Sequence, residues 1–417
     1  MRFLSRPLSS GSAHAVRSRN EAAIQRESAA MGIVNAAGIF LPVFLVRLGG
    51  TNLEVSLLTT LPAVTGFLLA IPIGTFLQAR RNIVPWYTAS RGVQFLVYGV
   101  TAIAVAIVPA NLAVLTVLVL WGVFTLPSTA GAVAANAYLN DVAGPSGRYN
   151  LLSRRYAIMG LSTAITVAVA GQVLQAVRFA LNYQLAFAVF SAAGLLVCWF
   201  SIQVIVPDHV RVEQSRGAGW RARLSGFLML LRSQPPFLRF IARQFVLTFG
   251  LSVATPLIPL WYLREAHAPD AWIGIIGTVQ SLALLAGYYT ARRLARRRST
   301  RLLFTATAVG IALYPAAMVL SRDLIVVALV IAYGAFVGAG LNLVLFDELL
   351  KTIPARHVVT FTAVQTSLSN LAAIIAPLLG GVLADMVGIG PGLLLAAALT
   401  LIGGALLLFA RPAPAAS

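Results

Sequence analysis

Twelve apolar stretches alternate with short polar turns along the chain, each long enough to cross a bilayer as a helix. A spanning helix needs about 20 predominantly apolar residues. The pattern predicts helices near Ala29–Leu48, Glu54–Leu77, Val84–Val108, Leu112–Leu139, Tyr149–Val173 and Tyr183–Val206. A second set follows near Phe237–Leu263, Ala271–Arg292, Leu302–Leu320, Leu324–Leu350, Val358–Met386 and Gly390–Ala410. The longest polar interval, Pro207–Pro236, separates the two sets. Inside it Trp220, Leu224, Phe227, Leu228 and Leu231 recur at helical spacing, and Arg211, Arg216, Arg221, Arg223 and Arg232 share the interval. That stripe predicts a helix lying on the membrane surface with its arginines among headgroups. Residues 1–28 are polar and lack the apolar core of a cleavable signal peptide. They are expected as a disordered cytoplasmic tail, helical only near Glu21–Glu27. The expected organisation is therefore a tail (1–28), a six-helix bundle (29–206), a cytoplasmic linker (207–236), a second six-helix bundle (237–410) and a short cytoplasmic tail (411–417).

The two halves repeat one another. Pro42, Arg47 and the pair Arg80–Arg81 return 217 positions later as Pro259, Arg264 and Arg297–Arg298. Helix 4 carries Asn136 and Asp141, and helix 10 carries Asn342 and Asp347 at the same spacing. Trp121-Gly122 answers Tyr333-Gly334, and Gly171-Gln172-Val173-Leu174 answers Gly380-Gly381-Val382-Leu383. Internal repeats of membrane helices are a common construction among secondary transporters.

Composition narrows the class. The chain is 59% hydrophobic and 10% charged, with mean hydropathy +0.86. Soluble domains carry about 25% charged residues, so this is a membrane protein. The net charge of +19 would fit a nucleic-acid binder, but its distribution decides otherwise. With both termini inside, only Arg47, Arg178, Arg264 and Arg322 fall outside, against 27 of the 31 basic residues inside. That asymmetry sets topology by the positive-inside rule. No nucleic-acid partner is expected. Cys198 stands alone in an apolar run and reads as an inert packing residue.

Six helices, a basic linker and six more helices resemble the major facilitator superfamily of secondary transporters. Gly74-Thr75-Phe76-Leu77-Gln78-Ala79-Arg80-Arg81 is similar to that family's loop between helices 2 and 3, with Gln78 where the family has aspartate. Pro207-Asp208-His209-Val210-Arg211 resembles its signature after helix 6, and Ala376-Pro377 through Ala384-Asp385 its end of helix 11. The proline-containing motif that ends helix 5 in many proton-coupled drug exporters is missing at Ala168–Gln172. The resemblance implies an all-α membrane protein, with 12 transmembrane helices in two pseudo-symmetric six-helix bundles.

An ionisable residue deep in a bilayer is a functional candidate by default. None of the 12 acidic residues falls at mid-membrane in this reading, so proton coupling through a buried acid is not expected. A cytoplasmic gate is expected from the inner helix ends. It comprises Gln78, Arg80, Arg81, Asn136, Asp141 and Arg148 in the first half, and Arg297, Arg298, Asn342, Asp347, Glu348 and Arg356 in the second. The competing reading is ordinary solvated charge, at about 0–1 kcal/mol per pair. Arg154, Arg155 and Arg243 lie inside helices near their inner ends. They either snorkel to headgroups or face a cavity. The family geometry implies a central cavity lined by helices 1, 4, 7 and 10. Candidate lining residues are Asn35, Thr125, Ser128, Arg243, Gln244 and Thr248, with Gln280, Tyr289, Gln365 and Asn370 as further polar positions. Interhelical hydrogen bonding, at roughly 0.6 kcal/mol each, is their structural alternative.

The function expected is transport of a small neutral or anionic organic molecule by alternating access, across the plasma (inner) membrane and as a monomer. A multidrug efflux proton antiporter and a lipid flippase or scramblase are the alternatives on the same fold. An enzyme would need a nucleophile–base set or a metal cluster. One cysteine and four scattered histidines offer neither, and no cofactor or metal is expected.

Overall fold

The computed structural model describes residues 10–78, 80, 82–205, 232–295, 300–352 and 358–408. All regular structure among them is helical. The helices are α1 (Ser10–Asn35), α2 (Ala37–Arg47), α3 (Asn52–Gln78), α4 (Val84–Ile107), α5 (Ala110–Ala176), α6 (Leu181–Ile202), α7 (Pro235–Leu260), α8 (Asp270–Ala295), α9 (Thr300–Val319), α10 (Leu324–Lys351), α11 (Val358–Val387) and α12 (Ile389–Leu408). A π-helical turn, Trp261–Glu265, ends α7. Among the described residues, twelve segments are long and apolar enough to span a membrane, the first being Ser18–Arg47. Helix α5 supplies two of them, Ala110–Ala135 and Leu151–Ala176. A straight helix of its 67 residues would be about 100 Å long. Val117 and Leu118 of its first span lie in the same apolar cluster as Val167 and Leu174 of its second.

Twelve crossings leave both ends of the chain at one face, here the termini face. The loops after α2, α4, α5, the π turn, α9 and α11 form the opposite, distal face. Stripes such as Leu161, Ile165 and Val169 on α5 are more than half exposed. Their spacing of four keeps them on one helix side. In a bilayer such a stripe meets lipid, whereas in water so much apolar surface would drive association.

Core distribution relates the two halves. One apolar cluster contains residues of both, including Phe40, Phe44 and Phe187 with Val253, Leu257 and Trp261. These belong to the distal part of the molecule. Towards the termini face the cores separate. Ala23, Ile24, Tyr87 and Leu151 pack within the first half. Leu303, Ile311 and Val344, and Phe237 with Phe361, pack within the second. The bundles therefore share one core distally and keep their own cores near the termini.

The first helix begins earlier than composition indicated. Asn20, Ala23, Ile24, Glu27 and Ser28 are buried, at the three-to-four spacing of a helix face. Asn20 is bonded at both ends of its amide to the backbone of Ile205, at 2.8 and 3.0 Å. Polar residue types hid this face from a hydropathy reading, and the bundle extends beyond residue 29 towards the N-terminus. Residues 21–27 are helical as part of α1 and do not belong to a disordered tail.

Glu27, expected in the polar tail, is an enclosed acid. It is fully buried, and Arg155 Nη1 of α5 lies 3.1 Å from its Oε2. The hydroxyl of Tyr87 on α4 donates to Oε1. Arg155 thus neither snorkels nor faces a cavity. Next to this triad Arg91 donates to Gln94 Oε1 at 2.8 Å and lies 5.5 Å from the Tyr87 ring centre. Glu27 is 20 residues before Arg47, about 30 Å along a helix, which places the triad near the termini-side edge of the apolar slab.

Removing one partner of a buried ion pair costs about 3–5 kcal/mol, whereas replacing both can be nearly neutral. Glu27→Gln is therefore expected to lower unfolding stability in detergent by about 3 kcal/mol. The double variant Glu27→Leu/Arg155→Leu should lose less than either single change; a double loss equal to the sum of the singles refutes the pairing.

Candidate functional site

At the distal face two arginines cross between halves in opposite directions. Arg47, the last residue of α2, donates from Nη2 to the Ala268 carbonyl at 3.0 Å. Its counterpart in the repeat, Arg264, donates to the Gly50 carbonyl. Each guanidinium therefore holds the loop that follows the other. The loop geometry allows this approach: Gly49 has φ of 92°, which glycine adopts without a side-chain clash. The π turn holds Arg264 just before its loop, where Ala266 N bonds Trp261 O at 3.0 Å.

Asp270, at the start of α8, lies 3.4 Å from Arg47 and accepts from the Tyr183 hydroxyl at 3.0 Å. Asn52, at the start of α3, donates to Asp385 of α11 at 2.8 Å. Arg47 is 39% exposed, so its ion pair contributes about 0–1 kcal/mol. Its bond to a carbonyl is the stronger element, at about 1.5–3 kcal/mol for a charged donor.

Below this face the halves meet along two seams, α5 with α8 and α3 with α11. Thr278 on α8 donates to the Ala164 carbonyl at 3.1 Å. In the repeat-related place Thr60 on α3 approaches the Ile374 carbonyl at 3.5 Å. On the first seam a Cβ on Gly171 would lie 2.6 Å from Gly274 Cα, so only glycine permits that approach. On the second, Gly381 sits against Ser56 and Leu53. The α3–α11 seam reaches Gly66, where Asn370 approaches.

A small pocket of about 10 Å³ lies within the second half, between α7 and α11. Ile241, Gln244, Phe245 and Thr248 line it from α7, with Gln365, Leu368 and Ser369 from α11. The spacing 241, 244/245, 248 puts the α7 set on one helix face. Gln365 Nε2 donates to Ser369 Oγ at 3.2 Å. Gln244 is 7% exposed, and its Oε1 is buried without a hydrogen-bond partner. Buried polar atoms are almost always paired, and each exception asks for an explanation.

Three of the expected cavity residues, Gln244, Thr248 and Gln365, thus come together. Arg243 is half-buried on α7, adjacent in sequence. Asn370 stands in the α3–α11 seam. Thr125 is buried and its hydroxyl bonds the Gly122 carbonyl at 2.7 Å, while its own carbonyl accepts from Thr129 at 3.0 Å. That is helix packing. Ser128 is half-buried, and Asn35, Gln280 and Tyr289 are exposed.

Of the expected gate, Arg80 rests over the rings of Phe76 and Trp86, at 4.2 and 5.0 Å from their centres. Asn342 and Asp347 are exposed and Glu348 half-buried on α10. Arg81, Arg297, Arg298 and Arg356 lie outside the described residues, as does the linker pattern of 207–231. The side chains of Gln78, Asn136, Asp141 and Arg148 also fall outside what is described.

Sequence reasoning missed the distal contacts as a functional group. Arg47 and Arg264 stood in the repeat, but they read only as outside charges. The usable signal was their equivalence: one arginine preserved at one helix end in both halves. Their acceptors are backbone carbonyls, which no residue type marks.

Comparison with known proteins agrees with this architecture. The family model described as Major Facilitator Superfamily matches residues 28–349 and 244–417. No curated protein sequence gives a match. Among solved structures, the nucleoside transporter NupG aligns with a TM-score of 0.75 at 10% identity, covering 94% of this chain and 100% of its own. The xylose transporter XylE from E. coli, in an inward open conformation, aligns with a TM-score of 0.66 at 12% identity, covering 95% of each chain. A bacterial homologue of the human lysosomal transporter Spinster, inward-facing and unoccupied, gives 0.60 at 14% identity, covering 94% of each. At these identities the likeness shows the fold, and with the family match along its length the chain belongs to the major facilitator superfamily.

Proposed function

We propose that this chain is a secondary transporter carrying a small neutral or anionic organic molecule by alternating access. It works as a monomer in the plasma (inner) membrane, with the termini face in the cytoplasm. One observation carries the reading: the halves share a core and two arginine bonds distally, yet keep separate cores towards the termini. That is the geometry of a molecule closed at one face and able to part at the other. Rocking of the halves would exchange the faces. The seams suit such motion, because glycines and hydroxyl–carbonyl bonds let helices slide without large side chains interlocking.

Orientation rests on charge. The termini face carries 27 of the 31 basic residues, as a cytoplasmic face does. Cargo charge rests on the lining. The pocket side chains are neutral, and Arg243, half-buried on the other face of α7, is the basic residue nearest them in sequence. Glu27 is buried, with Arg155 against it, so it presents no negative charge to a cavity. An unpaired cation would lose hydration there without compensation. NupG and XylE, whose named cargoes are a nucleoside and xylose, agree with an uncharged organic substrate.

In a Cys198→Ser background, His267→Cys should react with an impermeant maleimide from outside intact cells, and Asn82→Cys should not. The reverse pattern inverts the orientation.

Loss of both distal arginines, Arg47→Ala/Arg264→Ala, should loosen the closed face. Labelling of Ser56→Cys, a buried position on α3, is expected to rise about tenfold, the equivalent of one charged hydrogen bond. An unchanged rate would reduce the arginines to surface decoration.

Binding of matched anionic, neutral and cationic ligands tests the charge preference. Arg243→Ala should weaken anions several-fold and leave neutral ligands within about twofold. Tight cation binding, indifferent to Arg243→Ala, would restore the drug-exporter alternative.

A further inference from the structure

We infer that Thr163 is a positioning residue: its hydroxyl breaks the first span at Ala36 and makes a hinge between α1 and α2. This rests on the transporter reading above and adds the place where the first span bends as the halves rock. The span Ser18–Arg47 is apolar enough to cross as one helix, yet it is two, α1 ending at Asn35 and α2 starting at Ala37. Ala36 between them has φ −58° and ψ −29°, the dihedrals of a 3₁₀ turn. Its N–H bonds the Ile33 carbonyl at 3.3 Å, and the Ile39 N–H bonds the Ala36 carbonyl at 3.1 Å. Both are three-residue steps, where an α-helix takes four. Such a stretch in the middle of a helix often marks a hinge. It lies 11 residues before Arg47, about 16 Å along the helix axis and well inside the apolar slab.

The interruption comes from α5. A Cβ on Gly32 would lie 2.5 Å from the Met159 carbonyl, so only glycine lets the two backbones meet there. The Thr163 hydroxyl lies 2.9 Å from the Gly32 carbonyl and 2.8 Å from that of Met159. It has one proton to give. Met159 O already faces the Thr163 amide, four residues on in its own α-helix. Gly32 O has lost the amide of Ala36, so the hydroxyl takes that amide's place. A side chain inserted into the ladder is an identifiable cause of a helix kink. Ser162 beside it donates to the Ala29 carbonyl at 2.7 Å and ties the last turns of α1 to α5.

The repeat supplies the control. Pro42 and Pro259 are equivalent, but α7 runs unbroken over Pro235–Leu260 with Pro256 and Pro259 inside it. Proline is therefore not what divides the first span. The step from Gly171 to Gly380 takes Thr163 to Ala372, which has no hydroxyl. The two pieces of the first span also hold different partners. Glu27 binds α1 to Arg155 and Tyr87 within the first half. Phe40 and Phe44 of α2 stand in the core shared by both halves, and Arg47 at its end bonds the Ala268 carbonyl. The break thus separates a segment fixed within its own bundle from one whose end is bonded to the other. Phe44 still stacks on Tyr183 of the first half at 4.9 Å, so the movement permitted is a tilt of α2 and not its detachment. There is room for it: Gly38 is exposed, and a Cβ there would meet nothing within 4 Å.

The test uses the full chain, purified in detergent, with Thr163→Val, Thr163→Ser and Ser162→Ala. Valine keeps the shape of threonine and removes the hydroxyl, which returns the Gly32 carbonyl to the Ala36 amide. Amide hydrogen exchange over residues 33–41, read by mass spectrometry, should slow about fivefold in Thr163→Val, the equivalent of one hydrogen bond. Thr163→Ser and Ser162→Ala should leave it unchanged. Motion is read in the Cys198→Ser/Ser56→Cys background as the rate of reaction with N-ethylmaleimide. A straightened first span holds α2 to its own bundle, so labelling should fall about fivefold in Thr163→Val and not in Thr163→Ser. Thr163→Ala, which also lacks the hydroxyl, serves if the valine variant misfolds.

Exchange that is indifferent to loss of the Thr163 hydroxyl overturns the proposal. So does exchange that slows while labelling of Ser56→Cys stays at the parent rate, because the break is then no hinge. A serine variant that behaves as valine also refutes it, since the hydroxyl is then not the cause. The Arg47→Ala/Arg264→Ala variant separates the hinge from the transporter reading. If that variant raises labelling while Thr163→Val changes nothing, the hinge falls and the transporter reading stands. If it leaves labelling unchanged, the reading loses its closed face and the hinge falls with it.

Discussion

Two guanidinium–carbonyl bonds, Arg47 to Ala268 and Arg264 to Gly50, determine how the halves of this molecule meet. In lipid no hydrophobic force draws one helix bundle to another, because tails are as apolar as leucine. Attachment has to come from close packing and hydrogen bonds. The two arginines supply it at the distal loops. Thr60 and Thr278 repeat the device lower down, each directed at a carbonyl of the other half. The hydrogen-bond acceptors are main-chain oxygens, so those bonds depend on backbone position; at Arg47 the opposing charge of Asp270, 13% exposed, adds to the contact.

The first half follows a different rule in its interior. Glu27, Tyr87 and Arg155 join the first helix, α4 and α5 through an enclosed, hydrogen-bonded pair. Such a group is costly to take apart and ties three helices together near the termini. Weak, reversible bonds lie between halves, and a strong fixed one lies within a half. That division is what rigid-body rocking requires. The α7–α11 pocket is formed by two helices of the second half, and α11 also belongs to a seam.

The number, order and approximate ends of the helices were legible in the sequence, because apolar length and turn polarity suffice for that. The start of the first helix was not. Asn20 and Glu27 are polar types on a buried face, and hydropathy cannot distinguish a satisfied polar residue from a solvated one. The same blindness hid Arg155. Among polar helix residues, Gln244 and Thr125 looked alike in sequence. They separate only in three dimensions, where Thr125 bonds its own helix and Gln244 has a lone oxygen. The repeat held more than was first drawn from it. Arg47 and Arg264 marked equivalent helix ends, but the reciprocity of their bonds follows from spatial crossing, which a one-dimensional repeat does not contain.

The distal core joins apolar side chains of both halves, Phe40 and Phe44 with Leu257 and Trp261 among them. Opening that face hydrates part of it. Hydration of apolar surface raises heat capacity, so the balance between the two faces is a curved function of temperature. Cooling weakens the apolar contribution while leaving the arginine bonds largely in place. A rocking equilibrium of the kind proposed above would thereby be linked to temperature through a handful of aromatic and aliphatic contacts.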